Sequence, residues 1–337
     1  MKTGKISVML ILLLTLAVVY EISYPSVDPI GKILEAAAEA EDDYIKWIDF
    51  TPTQDALSYA LRLDVSAYGT DKHLRMHELL AVYSAINGGS YERFKKSSLD
   101  VIYEKYKKGA SLSEIASNER LLNYYLESYE AVIGGFVGEY FTADASGRVS
   151  GERKYGLRVF SPIAKNYGYT HYDDFGASRS YGYKRSHLGH DIMSSIGTPI
   201  IAVESGYVEA CGWNQYGGWR IGIRSFDGKR YYYYAHLRKG HPYNDIYEGK
   251  AVNAGEVIGY LGMTGYSAKE DTNNINTPHL HYGLQIIFDK KQKDGVNQIW
   301  IDMYEITKFL YVQRAAVIRS GNEYNSLSSL IYDESPD

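Results

Sequence analysis

The sequence contains very little cysteine. Cys211 is the single cysteine among 337 residues, so an internal disulfide is excluded. An excess of positive charge is also missing, because 36 Lys and Arg residues face 41 Asp and Glu residues, for a formal net charge of −5. A nucleic-acid-binding domain carries a basic surface, so this balance argues against a nucleic-acid partner. Phenylalanine is scarce too, with 9 residues against 34 tyrosines. Such a tyrosine excess suits either a solvated binding groove or a core filled by amphipathic side chains.

Long hydrophobic runs are absent except at the N-terminus, where residues 6–20 are apolar and follow Lys2 and Lys5. This order is typical of a secretory signal or an N-terminal membrane anchor. The nearest small-x-small cleavage site, at 38–40, lies far downstream, so the sequence favours an uncleaved anchor over residues 1–22. Positive charge ahead of the run predicts that the rest of the chain lies on the extracytoplasmic side, anchored to the membrane. A cleaved segment would instead make the protein secreted.

Hydrophobic spacing predicts an α+β fold with several parts. Residues 23–43 are a predicted stalk, and 44–141 a helical domain, because apolar side chains recur at helical spacing. Helices are expected over 53–67, 70–87, 97–108 and 118–133, with a short one behind a capping box at 111–114. After a polar linker at 142–150, short strands between turns predict an antiparallel β domain over 151–317 that carries a C-terminal helix near 300–312. Residues 320–337 are predicted to be a polar tail.

Residue types that bind metals occur in two motifs far apart in the chain. In the first, His187 and Asp191 flank Gly189, where a bend of the backbone lets both side chains reach one ion. In the second, His279 and His281 are two residues apart, and such residues on a strand point to the same face. Imidazole and carboxylate ligands suit zinc. The lack of nearby thiolates favours a catalytic zinc site, with one ligand position open, over a structural one.

The order of motifs closely resembles that of the lysostaphin-type zinc endopeptidases, metallopeptidase family 23. The resemblance spans residues 160–287, and its motifs are His187-Leu188-Gly189-His190-Asp191, Gly197-Thr198-Pro199, Tyr234-Ala235-His236-Leu237, the glycine-rich segment 255–265 and Pro278-His279-Leu280-His281. It implies an antiparallel β-sheet peptidase core with one zinc ion per chain, bound by His187, Asp191 and His281. It also implies that His236 and His279 flank the attacking water as the catalytic pair. No H-E-x-x-H motif is present, so no glutamate base can be assigned, and either histidine could be the general base.

The resemblance further implies a substrate, the peptide cross-links of bacterial peptidoglycan, and a role in cell-wall remodelling. All five site positions carry the expected residue types, which favours an enzyme over the main alternative. That alternative is a non-catalytic scaffold or regulator that keeps the peptidase fold and binds a cell-wall or membrane partner. A zinc carboxypeptidase for short wall peptides is a third candidate. For the helical domain, three roles stay open: spacer, inhibitor of the groove, or docking surface for a wall-remodelling protein.

Three residues around the motifs have no settled role in the sequence. Arg179 falls where relatives often have an arginine, and a site-supporting role and a plain surface charge are both open. His190 lies inside the first motif but outside its ligand pattern; a role in supporting the ligands is open, and an exposed loop position is the favoured prediction. Gly283 stands where relatives commonly have an acidic residue, a departure expected to affect local packing alone.

Overall fold

The structure, a computed structural model, describes residues 44–180 and 184–332. The predicted anchor, 1–22, and stalk, 23–43, therefore lie outside the described residues. Within the described ranges, none of the helices combines the length and the apolar character that a membrane crossing requires.

Five helices come first in the described chain, and local capping sets where they begin. They are α1 (Gln54–Ala67), α2 (Met76–Asn87), α3 (Lys96–Lys107), α4 (Leu112–Ala116) and α5 (Glu119–Ile133). The side chains of Thr53 and Asn118 accept backbone N–H groups at the starts of α1 and α5, and the predicted capping box of Ser111 and Glu114 begins α4. Helix α2 begins later than predicted, because the buried Asp64 carboxylate accepts the Met76 N–H at 2.7 Å.

Antiparallel strands make up most of the regular secondary structure in the described chain after α5. They are β1 (Val137–Asp144), β2 (Lys154–Leu157), β3 (Thr170–His171), β4 (Ser178–Arg179), β5 (Arg185–Ser186), β6 (His190–Met193), β7 (Pro199–Ile201), β8 (Gly206–Asn214), β9 (Gly218–Ser225), β10 (Arg230–Ala235), β11 (Ala251–Val252), β12 (Val257–Tyr260), β13 (His279–Ile286), β14 (Ile299–Ile301), β15 (Val317–Ser320), β16 (Glu323–Ser326) and β17 (Ser328–Ile331). A 3₁₀ turn, Gly134–Phe136, precedes β1, and two short helices, α6 (Lys290–Lys293) and α7 (Tyr304–Leu310), flank β14.

The central feature is an eight-stranded sheet in the order β11-β8-β9-β10-β13-β6-β3, with β14 also paired to β13. Every strand pair in it is antiparallel, as the sequence predicted. Alternate side chains of β10 divide between two environments: Tyr232 and Tyr234 are fully buried in the core, whereas Tyr231 and Tyr233 line an open cleft on the other face.

The structure differs from the predictions at the linker and the tail. Strand β1 runs into the predicted linker, and its residues 141–144 pair with 328–331 of β17. The predicted polar tail therefore contains, up to residue 332, two strands. Leu330 and Tyr332 explain this, because both pack with Phe160 and Tyr260 in a buried cluster. Isolated apolar residues in a polar segment gave too weak a periodic signal to predict these strands.

A buried ion pair connects the helices to the sheet. Arg230 is fully buried, and its guanidinium donates to both carboxylate oxygens of Glu204, at 2.8 and 2.9 Å. It also donates to the backbone carbonyl of Ala131, in α5, at 3.0 Å. A buried charge requires such complete pairing, because desolvation of an unpaired charge is costly. Residues from Tyr44 onward form one compact unit. The boundary between a helical domain and a peptidase domain stays a prediction.

Candidate metal and catalytic site

Three adjacent strands of the sheet bring the two sequence motifs together. Strand β13 lies between β10 and β6, and its His281 is paired with Ala235 on one side and Asp191 on the other. His236 directly follows β10, so its ring lies beside the second motif. His279 and His281 share one face of β13, and Leu280 between them is fully buried in the core. The register of β13 thus places the residues of both motifs at one point.

The three predicted metal ligands have donor atoms within hydrogen-bonding distance of one another. His187 Nε2 lies 3.1 Å from Asp191 Oδ1 and 3.1 Å from His281 Nδ1, and the latter two atoms are 3.0 Å apart. Among the described residues, these three are the group of His, Cys, Asp and Glu side chains that could hold a metal ion. Tetrahedral zinc with bonds of about 2.0–2.1 Å keeps its ligand atoms about 3.3 Å apart, so this triangle fits zinc after a small expansion.

Charge at the triangle also suits a metal. Burial by itself would raise the pKa of Asp191, yet hydrogen bonds with His187 and His281 hold that pKa well below its ordinary value. Burial lowers the pKa of His281, although Asp191 opposes this. For His187, burial opposes protonation, but the Asp191 carboxylate outweighs it and raises the pKa. An ionised carboxylate beside imidazole nitrogens is the donor set that zinc binds.

The two predicted catalytic histidines lie beside the triangle. His279 Nε2 is 3.7 Å from Asp191 Oδ1, and the rings of His236 and His279 have centroids 4.8 Å apart. In each ring, Nδ1 lies 2.8 Å from a backbone carbonyl oxygen. The carbonyl belongs to Thr264 for His236 and to Thr277 for His279. A carbonyl can only accept, so Nδ1 carries the proton and Nε2 is left with a lone pair.

His236 has an unusual backbone for a histidine. Its φ of 62° lies in the left-handed region, and the backbone groups on both sides are fixed by hydrogen bonds to Gly217 and Gly262. Burial, followed by repulsion from His279 and His281, lowers the pKa of His236 to about 3. The ring is therefore neutral at physiological pH. Backbone strain of this kind persists where surrounding contacts impose it, and it is common at functional sites.

Gly189 has a different role from the predicted one. Its φ is not positive, so a glycine-specific bend does not explain it. A Cβ atom at this position would instead lie 2.4 Å from Cε1 and 2.5 Å from Nε2 of His281. Glycine is required because the His281 ring occupies the space that any side chain would need.

The structure settles the position of Arg179, which the sequence left open. Arg179 Nη2 lies 3.2 Å from Asp191 Oδ2 and 2.5 Å from Asp174 Oδ2. Asp174 in turn contacts His187 Nδ1 through its backbone oxygen, at 3.2 Å, and through Oδ1, at 3.3 Å. Asp174 carries no signal in the sequence, because it lies 13 residues before His187 in no recognisable motif.

The prediction that His190 is an exposed loop residue is wrong. His190 is in β6, is 1% exposed, and contacts His171 Nδ1 through Nε2 at 2.8 Å. Alternation along the strand explains this, since Asp191 faces the cleft and its neighbour must face the opposite side. Burial, and then repulsion from His171, lowers the pKa of His190 to about 3, so the ring is neutral.

The site opens into a cleft of about 500 Å³ whose walls are largely aromatic and polar. Its walls include Tyr216, Tyr231, Tyr233, Tyr266, Gln285 and Trp300. Gly283 shapes one wall, because a Cβ atom there would lie 2.9 Å from the Trp300 ring. The departure at Gly283 therefore makes room for an indole in the cleft. A larger cavity, about 880 Å³, lies beside α5 and β1 but contains none of the triangle residues.

Comparisons with known proteins agree with this geometry. A family model described as peptidase family M23 matches residues 185–297. The L-Ala–D-Glu endopeptidase of Bacillus subtilis is 37% identical over 169 residues, which cover 49% of this chain and 47% of that protein. Lysostaphin of Staphylococcus staphylolyticus is 41% identical over 97 residues, which cover 28% of this chain and 18% of that protein. The chain thus spans about half the length of the first relative and less than a fifth of the second.

A solved structure shows that the fold extends beyond the matched segment. The crystal structure of a candidate glycyl-glycine endopeptidase, LytM of Ruminococcus gnavus, has a TM-score of 0.57 and 20% sequence identity. The likeness covers 88% of this chain and 100% of that chain. A share of this size must include the helices that precede β1. At this identity the comparison shows the fold. The match at 185–297 includes all five of the residues that converge in the cleft, and the chain therefore carries a peptidase family M23 domain.

Proposed function

We propose that the chain is a zinc-dependent endopeptidase that cleaves peptide cross-links of bacterial peptidoglycan. The observation that carries the proposal is the convergence of His187, Asp191 and His281 at distances that suit zinc, with two further histidines beside them in an open cleft. The relatives support the substrate class, since they include endopeptidases named for L-Ala–D-Glu and glycyl-glycine bonds and a peptidoglycan DD-endopeptidase. The relatives differ in the bond that they cut, so the proposal is confined to this class.

The mechanism assigns separate tasks to the five residues. His187 Nε2, Asp191 Oδ1 and His281 Nδ1 would hold the zinc ion. Zinc, when bound, supplies a Lewis acid that polarises the scissile carbonyl and promotes deprotonation of water. His236 and His279 both keep Nδ1 protonated on a backbone carbonyl, so each presents an Nε2 lone pair. One Nε2 accepts the proton of the attacking water, and the resulting N–H can then donate it to the leaving amine.

Mass spectrometry of muropeptides tests this proposal. The full-length chain, purified in detergent, is incubated with isolated peptidoglycan with and without a chelator. We expect cross-linked muropeptides to be replaced by products with newly freed amino and carboxyl ends. The chelator should prevent this conversion, and added zinc should restore it. An unchanged muropeptide profile from a zinc-loaded chain would contradict the proposal and favour a non-catalytic scaffold of the same fold.

We further propose that residues 1–22 anchor the chain in a membrane and that the peptidase domain acts on the extracytoplasmic side. The support is the sequence alone, with Lys2 and Lys5 before the apolar run and no close cleavage site. N-terminal sequencing of protein taken from membranes should therefore recover the original start. A soluble form that begins downstream of Tyr20 would show a cleaved signal and a secreted enzyme.

A further inference from the structure

Asp174 and Arg179 precede the residues matched to the peptidase family, yet they complete a closed ring of polar contacts with two candidate ligands. His187 Nε2 lies 3.1 Å from Asp191 Oδ1, and Asp191 Oδ2 lies 3.2 Å from Arg179 Nη2. That nitrogen lies 2.5 Å from Asp174 Oδ2, and Asp174 Oδ1 lies 3.3 Å from His187 Nδ1. Each carboxylate thus has one oxygen beside a histidine and the other bonded to the guanidinium, and Oδ1 of Asp174 is buried without a hydrogen bond of its own.

The first half of the ring determines which nitrogen of His187 is available to a metal. Nδ1 donates to the backbone oxygen of Asp174 at 3.2 Å, and Oδ1 of the same residue lies 3.3 Å away without forming a hydrogen bond. The backbone oxygen can only accept, so Nδ1 carries a proton, and Nε2, which lies toward Asp191 and His281, is the nitrogen available to a metal. A carboxylate behind a ligating histidine fixes its tautomer and ring orientation and raises its basicity.

The second half of the ring determines how Asp191 can bind. Oδ1 faces His187 and His281, whereas Oδ2 is held by the Arg179 guanidinium. A hydrogen bond between two charged groups is stronger than one between neutral groups, and the side chain of Asp191 is only 14% exposed, so water competes weakly for Oδ2. Asp191 is therefore limited to one oxygen as a ligand. In an ordinary ion pair on the surface, water would compete for the carboxylate, and both of its oxygens would stay accessible to a metal.

We propose that Asp174 and Arg179 are positioning residues of the metal site. Asp174 orients His187 so that Nε2 faces the metal position, with its backbone oxygen on Nδ1 and its carboxylate beside the ring and on Arg179, and Arg179 restricts Asp191 to a one-oxygen ligand. This inference rests on the proposed zinc site, and its test measures metal binding rather than hydrolysis.

For Asp174, the measurement is the zinc dissociation constant of the full-length protein, obtained by competition with a coloured chelator. Asp174→Ala keeps the backbone oxygen but removes the carboxylate that lies beside His187 and binds Arg179. We therefore expect it to raise this constant roughly 10- to 100-fold, the scale for losing a partner behind a metal ligand. Asp245→Asn is the control, because Asp245 pairs with Lys250 on the surface, its side chain is 82% exposed, and asparagine tolerates its φ of 52°. If circular dichroism shows that Asp174→Ala does not fold, Asp174→Asn, which keeps the size and removes the charge, replaces it.

For Arg179, the measurement is the visible absorption of the cobalt-substituted protein, which weakens as the coordination number rises. Arg179→Met frees Oδ2 of Asp191, so we expect a second Asp191 oxygen to bind and the absorption to fall. Arg179→Lys should keep the wild-type spectrum, because an ammonium can still occupy Oδ2. Arg148→Met is the control, since Arg148 pairs with Asp144 on the surface with its side chain 83% exposed.

The outcomes separate the two proposals. A wild-type chain that binds neither zinc nor cobalt overturns the zinc site itself, and the positioning roles with it. Metal binding by the wild type, with an unchanged dissociation constant in Asp174→Ala and an unchanged spectrum in Arg179→Met, overturns the positioning roles alone. If only one of the two variants shows a change, the positioning role belongs to that residue and is excluded for the other residue.

Discussion

Replacing His281 with alanine is expected to remove zinc from the chain and to abolish peptidoglycan hydrolysis. His281 supplies one of three donor atoms, and its Nδ1 lies within 3.1 Å of both others, so its loss leaves two ligands for the metal. Two ligands cannot complete the three-residue set of a catalytic zinc site. The zinc content of the purified variant should be zero, against one zinc per chain in the wild type. The muropeptide profile should match that of untreated peptidoglycan.

His241→Ala is the matched control for this variant. His241 forms an exposed ion pair with Glu323, and its side chain is 48% exposed. Since such pairs contribute little to stability, this variant should keep both zinc and activity. One tightly held zinc in the His281→Ala protein would show that the assignment of His281 as a ligand is wrong.

Removal of either histidine proposed to be catalytic should reduce turnover by on the order of a hundredfold or more while zinc stays bound, which is the scale for losing a positioned proton-transfer group. For His279 the suitable variant is His279→Ala, because the residue lies on a regular strand. For His236 it is His236→Asn. Its φ of 62° would strain alanine by about 1–2 kcal/mol, whereas asparagine tolerates this conformation.

Zinc content, melting temperature and turnover on purified cross-linked peptidoglycan are measured for both variants, beside His241→Ala. Unchanged turnover in His236→Asn would remove His236 from the mechanism. Loss of zinc in His279→Ala would make His279 a ligand and would require a different interpretation of the second motif.

The limits of the sequence predictions have identifiable physical causes. Helices α1 and α5 were predicted nearly to the residue, because Thr53 and Asn118 are local capping signals. The strands of the C-terminal segment were missed, since Leu330 and Tyr332 are held by a core assembled from distant parts of the chain.

At the site, the sequence by itself determined the residue types and the strand that carries the second motif. Alternation along a strand placed His279 and His281 on one face of β13, and it could have placed His190 opposite Asp191. The family resemblance then supplied the five site positions. These inferences depend on the spacing of residues close together in the chain, which a single sequence shows directly.

The tertiary structure alone decided the contacts between segments distant in the sequence. The register of β13 against β6 sets His281 opposite Asp191, and it explains why position 189 must be glycine. The tertiary structure also places Asp174 behind His187. It directs Oδ1 of Asp191 towards His187 and Oδ2 of Asp191 towards Arg179. The physical reason is that Asp174 has no periodic or motif signal of its own, and that the family resemblance marks the position of Arg179 without giving its contacts. Their contacts exist only once the strands have paired and Arg179 of β4 lines the cleft.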